Sequence, residues 1–226
     1  VLDSPHVPWE ALEVWALPSS VEALAYRGIR PALIITTDAG YYASIHYRSF
    51  SSFPSTPVAH PLTAYPIPVD ATRRRVLLNQ GSPYEEAALS LLPLPAHRVA
   101  ANGTVAGTAL DFALQSVTSA GAASADAAPA DGATSNTISS ASDASCAPES
   151  PHPPVFLAGL DFAVHGDSEH VRPHPFRRLS SSDAARLTPL QSRVLDRVFA
   201  RYPKRIAPGI RTNEPLLTYA DWFSGR

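Results

Sequence analysis

"PALIITTDAGYYASIHYRSF", residues 31–50, decides the fold. Residues 32–37, "ALIITT", are apolar or β-branched without a period of two, the pattern of a strand covered on both faces. The run stops on Asp38, and Gly40, Tyr41, Tyr42 and His46 follow. Asp-Ala-Gly is sound turn chemistry, and in open α/β sheets ligands gather beyond the carboxyl ends of strands. Asp38 and His46 are therefore the first candidate site residues, with Gly40 keeping the backbone open between them.

Reading outward, strands alternate with helices. "SSVEALAYRG" (19–28) has the form of a helix with a Ser19–Glu22 capping box and Gly28 as its stop. "PVAHPLTAYPIPV" (57–69) is proline-broken and reads as short extended pieces, and "RRVLLN" (74–79) reads as a strand. "SPYEEAALSLL" (82–92) opens a helix with a Ser82–Glu85 box and Pro83 at its first position. "HRVAANGT" (97–104) is a short strand running into a turn, and "VAGTALDFALQ" (105–115) is a helix rich in small residues. "PVFLAGLDF" (154–162) predicts a second buried strand ending near Asp161. "TPLQSRVLDRVFARY" (188–202) predicts a helix capped at Thr188, with Leu190, Val194, Leu195 and Val198 as its apolar stripe. The expectation is a Rossmann-like α/β fold, a mostly parallel sheet with helices on both faces.

One segment stands apart. Residues 116–154 are almost entirely Ala, Ser, Thr, Gly, Asp and Pro, too poor in apolar surface to offset the entropy of ordering, so they read as a disordered insertion. The insertion interrupts a single domain spanning 1–226. The chain opens on Val1 and holds no methionine, so the expectation is a segment of a longer gene product.

Composition excludes several classes of function. A formal charge of -2 offers no electrostatic footing for nucleic acid or an anionic membrane. Lys204 is the only lysine; the arginine and alanine bias reflects coding composition rather than function. A single cysteine, Cys146, rules out an intrachain disulfide and a cysteine-cluster metal site, and favours a reducing, cytoplasmic setting. No apolar run approaches the ~18 residues of a membrane span.

Three places could carry chemistry. Asp38 and His46 form the first. The second is "ANGTVAG" (101–107), where Asn102, Gly103 and Thr104 lead a strand into a helix and free backbone N–H groups suit an anion. The third is "LAGLDFAVHGDSEH" (157–170), in which Asp161 is followed by His165, Asp167, Glu169 and His170. The bland readings are a turn-forming aspartate, an ordinary helix start and a solvated polar loop. "RPHPFRR" (172–178) reads as a solvated loop, and Tyr41, Tyr42 and Tyr47 as packing residues. No metal site is expected from the third loop alone.

Four stretches together resemble a known family. "GIRPALIITTDAGYYASIH" is similar to the helix–turn–strand–aspartate motif of the motility accessory factor proteins, and "NGTVAGTALDFAL" to their "G-(S/T)-V-A-x-x-A-L-x-x-A" helix start. "VFLAGLDFAVHGDSEH" looks like their "I-x-G-x-D-L-A" strand end, and "RTNEPLLTYADWFSGR" like their "T-x-x-x-L-x-x-Y-x-x-W-F" segment. The resemblance implies a Rossmann-like domain related to bacterial sialyltransferases and to 6-hydroxymethylpterin diphosphokinases of the MptE-like type. The activity it implies belongs to flagellin glycosylation, transferring a sialic-acid-like (nonulosonic) sugar from a CMP donor to Ser or Thr of flagellin. By position, Asn102, Gly103, Thr104 and Gly40 would bind the nucleotide, Asp38 and Asp161 would line the cleft, and His170 would be the general base. His46, His165 and Tyr219 would contact substrate.

Such a transfer requires no cofactor. A Mg-dependent pyrophosphokinase acting on a pterin is the alternative enzyme, with Asp38 and Asp161 as metal carboxylates. A non-catalytic flagellin-binding domain is the third reading. Its support is that the family's upstream "G-x-G-P-S-L" turn has no counterpart between Val1 and Arg226.

Overall fold

The computed structural model describes residues 2–67, 73–92, 94–125 and 153–225. Five parallel strands form the main sheet in the order β1-β2-β3-β4-β5: β1 (Trp15–Ala16), β2 (Leu33–Ile35), β3 (Val58–Pro61), β4 (Arg75–Asn79) and β5 (Ala96–Arg98). The fold is thus the expected Rossmann-like α/β architecture. Its described strands run in one direction across the sheet, with no reversal of winding that would mark a topological switch point.

The two faces of β2 explain its sequence. Ile34 points into one core with Ala16, Val21, Leu24, Tyr47, Phe50 and Val58. Leu33 and Ile35 point into the other with Ala59, Leu78, Val99 and Phe112. Helices α1 (Val21–Tyr26) and α2 (Ala43–Tyr47) cover the first face, as same-handed crossovers between successive strands require. Helix α4 (Val105–Ala125) leaves the edge strand β5 and turns back over the second face, where Phe112 packs against both His97 and Trp15. Both faces are therefore covered by helices.

Helix α3 (Pro83–Leu91) is held in an unforeseen way. Ser82 caps it by accepting from the Glu85 N–H at 3.2 Å, as the sequence predicts. The Glu85 carboxylate turns elsewhere. Only 1% exposed, it accepts from Leu62 N–H (2.9 Å) and Gln80 N–H (2.7 Å), joining the chain just past β3 to the chain just past β4. In α1 the Ser19–Glu22 box does not form: Ser20 takes the cap position without a side-chain cap bond, and Glu22 pairs with Arg178. Gly28 does stop α1, at φ +69°.

Structure and sequence reading differ at the two ends of the segment 116–154. Helix α4 continues to Ala125, so the first ten residues assigned to the insertion are helical; alanine is a strong helix former and outweighs the low hydrophobicity. Residues 126–152 lie outside the described residues. The strand expected over 154–162 is absent: the segment has no regular structure and is largely exposed, Phe156 at 76%. Gly159 (φ +77°) and Phe162 (φ +49°) take left-handed conformations that an extended strand does not accommodate.

The carboxyl-terminal part instead forms a small antiparallel sheet, order β6-β8-β7, from β6 (Val164–His165), β7 (Lys204–Ala207) and β8 (Ile210–Thr212). Around it lie α5 (Pro175–Ser182), α6 (Leu190–Arg201) and α7 (Glu214–Ser224). Helix α6 presents Leu190, Val194 and Val198 to Val164, whereas Leu195 is exposed; Pro189, not Thr188, holds its cap position.

Replacing Glu85 by Gln puts an amide N–H₂ against one of two backbone N–H donors. The expected outcome is a loss of about 1–3 kcal/mol in urea unfolding, while Glu86→Gln, at an exposed pair with Arg98, changes stability by less than about 0.5 kcal/mol.

Candidate functional site at the carboxyl edge of the sheet

The antiparallel cap seats on α1 and α2. Arg178 pairs with Glu22, and Arg27 donates to the Arg172 carbonyl at 2.9 Å while holding Asp3 through two bonds. Between these links lies a cluster of rings. His46, on α2, meets His174 edge-on with centroids 5.2 Å apart, Phe176 at 4.8 Å and His170 at 6.5 Å. His170 and His174 stack at 4.3 Å. The structure thus brings the sequence candidates His46 and His170 together, more than 120 residues apart in the chain, at the end of β2 where Asp38 stands.

Burial makes His46 and His174 poor proton acceptors in the resting protein. It pulls the His46 pKa to about 4, assisted by His170. It pulls His174 to about 3, assisted by His170, His46 and Arg197. The His170 pKa is also lowered, first by desolvation against its neighbours, although the residue is exposed; Glu169 opposes and Arg197 reinforces this. All three are therefore neutral at pH 7. Desolvation by neighbouring groups raises the Asp38 pKa although the residue is exposed, while its carbonyl accepts from Tyr65 N–H (2.7 Å) and the Tyr47 hydroxyl (3.4 Å).

Next to the cluster is a cleft of about 40 Å³, lined in part by Glu169, His170, His174, Phe176 and Arg197. Its arginines are partnered: Arg172 and Arg177 hold Asp167 at 2.5 and 3.1 Å, and Arg197 faces Glu169 at 3.3 Å. "RPHPFRR" is therefore a seam and the start of α5, not a solvated loop. Of the three tyrosines, only Tyr47 packs in the core; Tyr41 and Tyr42 are 71% and 66% exposed. Among the described residues no group of three His, Cys, Asp or Glu side chains is arranged to hold a metal ion.

The second cluster lies past β5. Thr104 caps α4, its Oγ1 accepting from Gly107 N–H at 2.9 Å, which leaves the hydroxyl proton free to donate. Gly103 turns the chain at φ +69°, with the Tyr219 hydroxyl from α7 close to it. Asn102 tucks against Gly107, and its buried Nδ2 has no partner among the described residues. The turn is suspended from the sheet: Gln80 donates to Thr108 Oγ1 (3.2 Å), and Thr108 donates to the Ala100 carbonyl (3.3 Å). From β2 to β5 is three strand spacings, about 14 Å, so the two clusters form one elongated edge.

Two candidates fall elsewhere. Asp161 is exposed on the irregular segment, where Leu157, Phe162, Ala220 and Phe223 line an open hollow of about 540 Å³. His165 pairs with Ile210 in β6 and is not in the histidine cluster. Asp161 was expected at a strand end of the parallel sheet, and the left-handed residues at 159 and 162 remove that strand. Gly40 lies exposed in the turn after Asp38; a Cβ there would meet nothing within 4 Å, and its carbonyl accepts from Ala43 N–H at 2.9 Å. His174 and Phe176, central to the cluster, carry no periodic or motif signal that sequence alone could use.

No family model matches the chain, and no solved structure matches it. It is 29% identical over 220 residues to an uncharacterized protein of Treponema pallidum (strain Nichols); the match covers 94% of this chain and 37% of that protein. The chain thus spans little more than a third of the relative's length. No helix among the described residues is long and apolar enough to cross a membrane. Fold and site together define an α/β protein of Rossmann-like class with an antiparallel cap at its carboxyl edge.

Alanine at 107 tests how tightly the turn is built. Gly→Ala inside a helix normally gains about 0.5–1 kcal/mol, but a Cβ here would stand 2.7 Å from Asn102 Cβ and 3.1 Å from Thr104 Oγ1. The expected result is a lower melting temperature for Gly107→Ala; a higher one would mean that the turn yields easily.

Proposed function

We propose that this chain is a glycosyltransferase-like domain of bacterial flagellin glycosylation. It would transfer a sialic-acid-like (nonulosonic) sugar from a CMP donor to a Ser or Thr hydroxyl of flagellin. The single observation that carries the reading is the pairing of two clusters along one sheet edge: a capped glycine turn past β5, and His170 beside His46 past β2. Their separation suits an extended nucleotide-sugar, with the nucleotide at one end and the transferred sugar at the other.

The roles follow from chemistry. Gly103 and the first free N–H groups of α4 would receive the donor's phosphate, with the Thr104 hydroxyl donating to it. Asn102 Nδ2 and Tyr219 would add donors. At the other end the neutral His170 imidazole would take the acceptor hydroxyl's proton as its oxygen attacks the anomeric carbon. The bond from that carbon to the phosphate oxygen breaks, and CMP leaves with the electron pair. Asp38 and His46 would line the acceptor side. The placement of Asp161 beside α7 gives no support to a shared metal with Asp38, as the pterin pyrophosphokinase reading would want. The Treponema relative adds a homologue without adding an activity.

Thermal shift decides between these readings. CMP without magnesium, at 100 times its Kd, should stabilise the chain by about 2.7 kcal/mol, and Thr104→Val should abolish most of that shift. A shift with ATP that requires magnesium would replace sugar transfer by pyrophosphoryl transfer. Silence from both ligands in a cooperatively melting chain would favour a partner-binding domain without catalysis.

A further inference from the structure

We propose that His46, His170 and His174 form an acid-released latch that holds the α5 segment of the cap on α2, over the carboxyl end of β2. The latch is built from geometry. His46 comes from α2; His170, His174 and Phe176 come from the seam and the start of α5. The four rings interlock at 4.3–6.5 Å: His170, His174 and Phe176 stack, and His46 meets all three edge-on. His174 is 5% exposed, and His174 Nε2 and His46 Nδ1 are buried without a hydrogen-bond partner among the described residues. Neutral rings tolerate this packing. A proton on His46 or His174 places a cation against a neighbouring imidazole, in a ring with one buried nitrogen that has no acceptor among the described residues.

The surrounding charges do not relieve that cost. Arg197 from α6 faces both His170 and His174 and opposes their protonation. Glu169 is the carboxylate that favours it at His170, and it is already engaged with Arg197. Asp167 is occupied by Arg172 and Arg177, and Glu22 of α1 by Arg178. From the side of α2, Tyr42 meets Phe176 and brings no charge at neutral pH.

The sign of the pH dependence follows from linkage. Closed, His46 and His174 titrate at about 4 and about 3; released into water they return toward 6.5. The closed form binds fewer protons, so acid favours opening, from about pH 6.5 downward until those lower values are reached. Each histidine that takes up a proton on opening weakens closure by up to about tenfold per pH unit below 6.5, so two of them weaken it about five hundredfold between pH 7 and pH 5. This window lies above the usual range of Asp and Glu, and the Asp167 carboxyl, despite some desolvation, is held lower still by its bonds to Arg177 and Arg172, so its ion pairs remain charged through it. The latch bears on His170 without depending on the sugar-transfer reading, because its test involves no ligand.

The test is an NMR titration of the full chain from pH 7.5 to 4.5, following the ring C–H signals of the histidines and the amide signals of residues 170–182. The expected result is a single coupled step between pH 6.5 and 5. In it the amides of α5 shift together with His46 and His174, and Phe176 loses its contacts to His46. His46→Phe combined with His174→Phe keeps the ring packing without the charge and should leave α5 seated at pH 5. The latch is overturned if His46 and His174 titrate near 6.5 with the α5 amides unmoved, or stay neutral to pH 4.5 with α5 closed. A double variant that opens at the wild-type midpoint overturns it as well. Should that variant fail to fold, the wild-type titration decides alone.

Discussion

Two isoleucines set back to back, Ile34 and Ile35, both fully buried, are the constraint on which the molecule is built. Each faces a different core, and each is worth about 1.5–3 kcal/mol of transfer free energy when buried. A strand that must be covered on both sides cannot lie at the surface of a sandwich, so helices have to cross both faces of its sheet. The helices α1 and α2 on one side and α4 on the other satisfy that demand. The strand's carboxyl end is then the first place where the backbone reaches solvent, which is why Asp38, Tyr41 and Tyr42 appear there.

What the cap adds is convergence. The parallel sheet by itself leaves its two candidate clusters about 14 Å apart, each supported by one turn. The antiparallel unit brings His170 and His174 onto α2 at one end and Tyr219 beside Gly103 at the other. Its seating rests on different kinds of contact along one seam: a paired, buried Glu22, a backbone carbonyl held by Arg27, and a stack of uncharged rings. In the Glu22–Arg178 pair the carboxylate is buried and the guanidinium exposed, so removing Arg178 leaves a buried charge unpaired, whereas the ring stack depends on protonation. The seam therefore has a part that holds at any physiological pH and a part that does not.

Much of this was legible in the sequence and some was not, for physical reasons. β2, β4, the start of α3 and the stop at Gly28 carry local signals strong enough to survive in the folded chain. The strand expected over 154–162 shows the limit of composition: its apolar run matches a buried strand, yet positive φ at Gly159 and Phe162 turns it out of any sheet. Glu85 shows another. Its spacing from Ser82 predicted a capping box, and half of that box forms, but two unpaired N–H groups at the strand ends compete better for the carboxylate. The histidine stack was visible only as separate candidates, since nothing in 170–176 announces which distant helix it will meet.

The central claim is that residues 170–176 sit on α2 and complete the site at the end of β2. Nuclear Overhauser contacts between the ring protons of His46 and those of His174 and Phe176, measured at pH 7.5, test it most directly. The account predicts strong cross-peaks for both pairs, from centroids 5.2 and 4.8 Å apart. Their absence from a folded chain, with His46 titrating as a free imidazole, would contradict it and leave the two clusters as separate surface features.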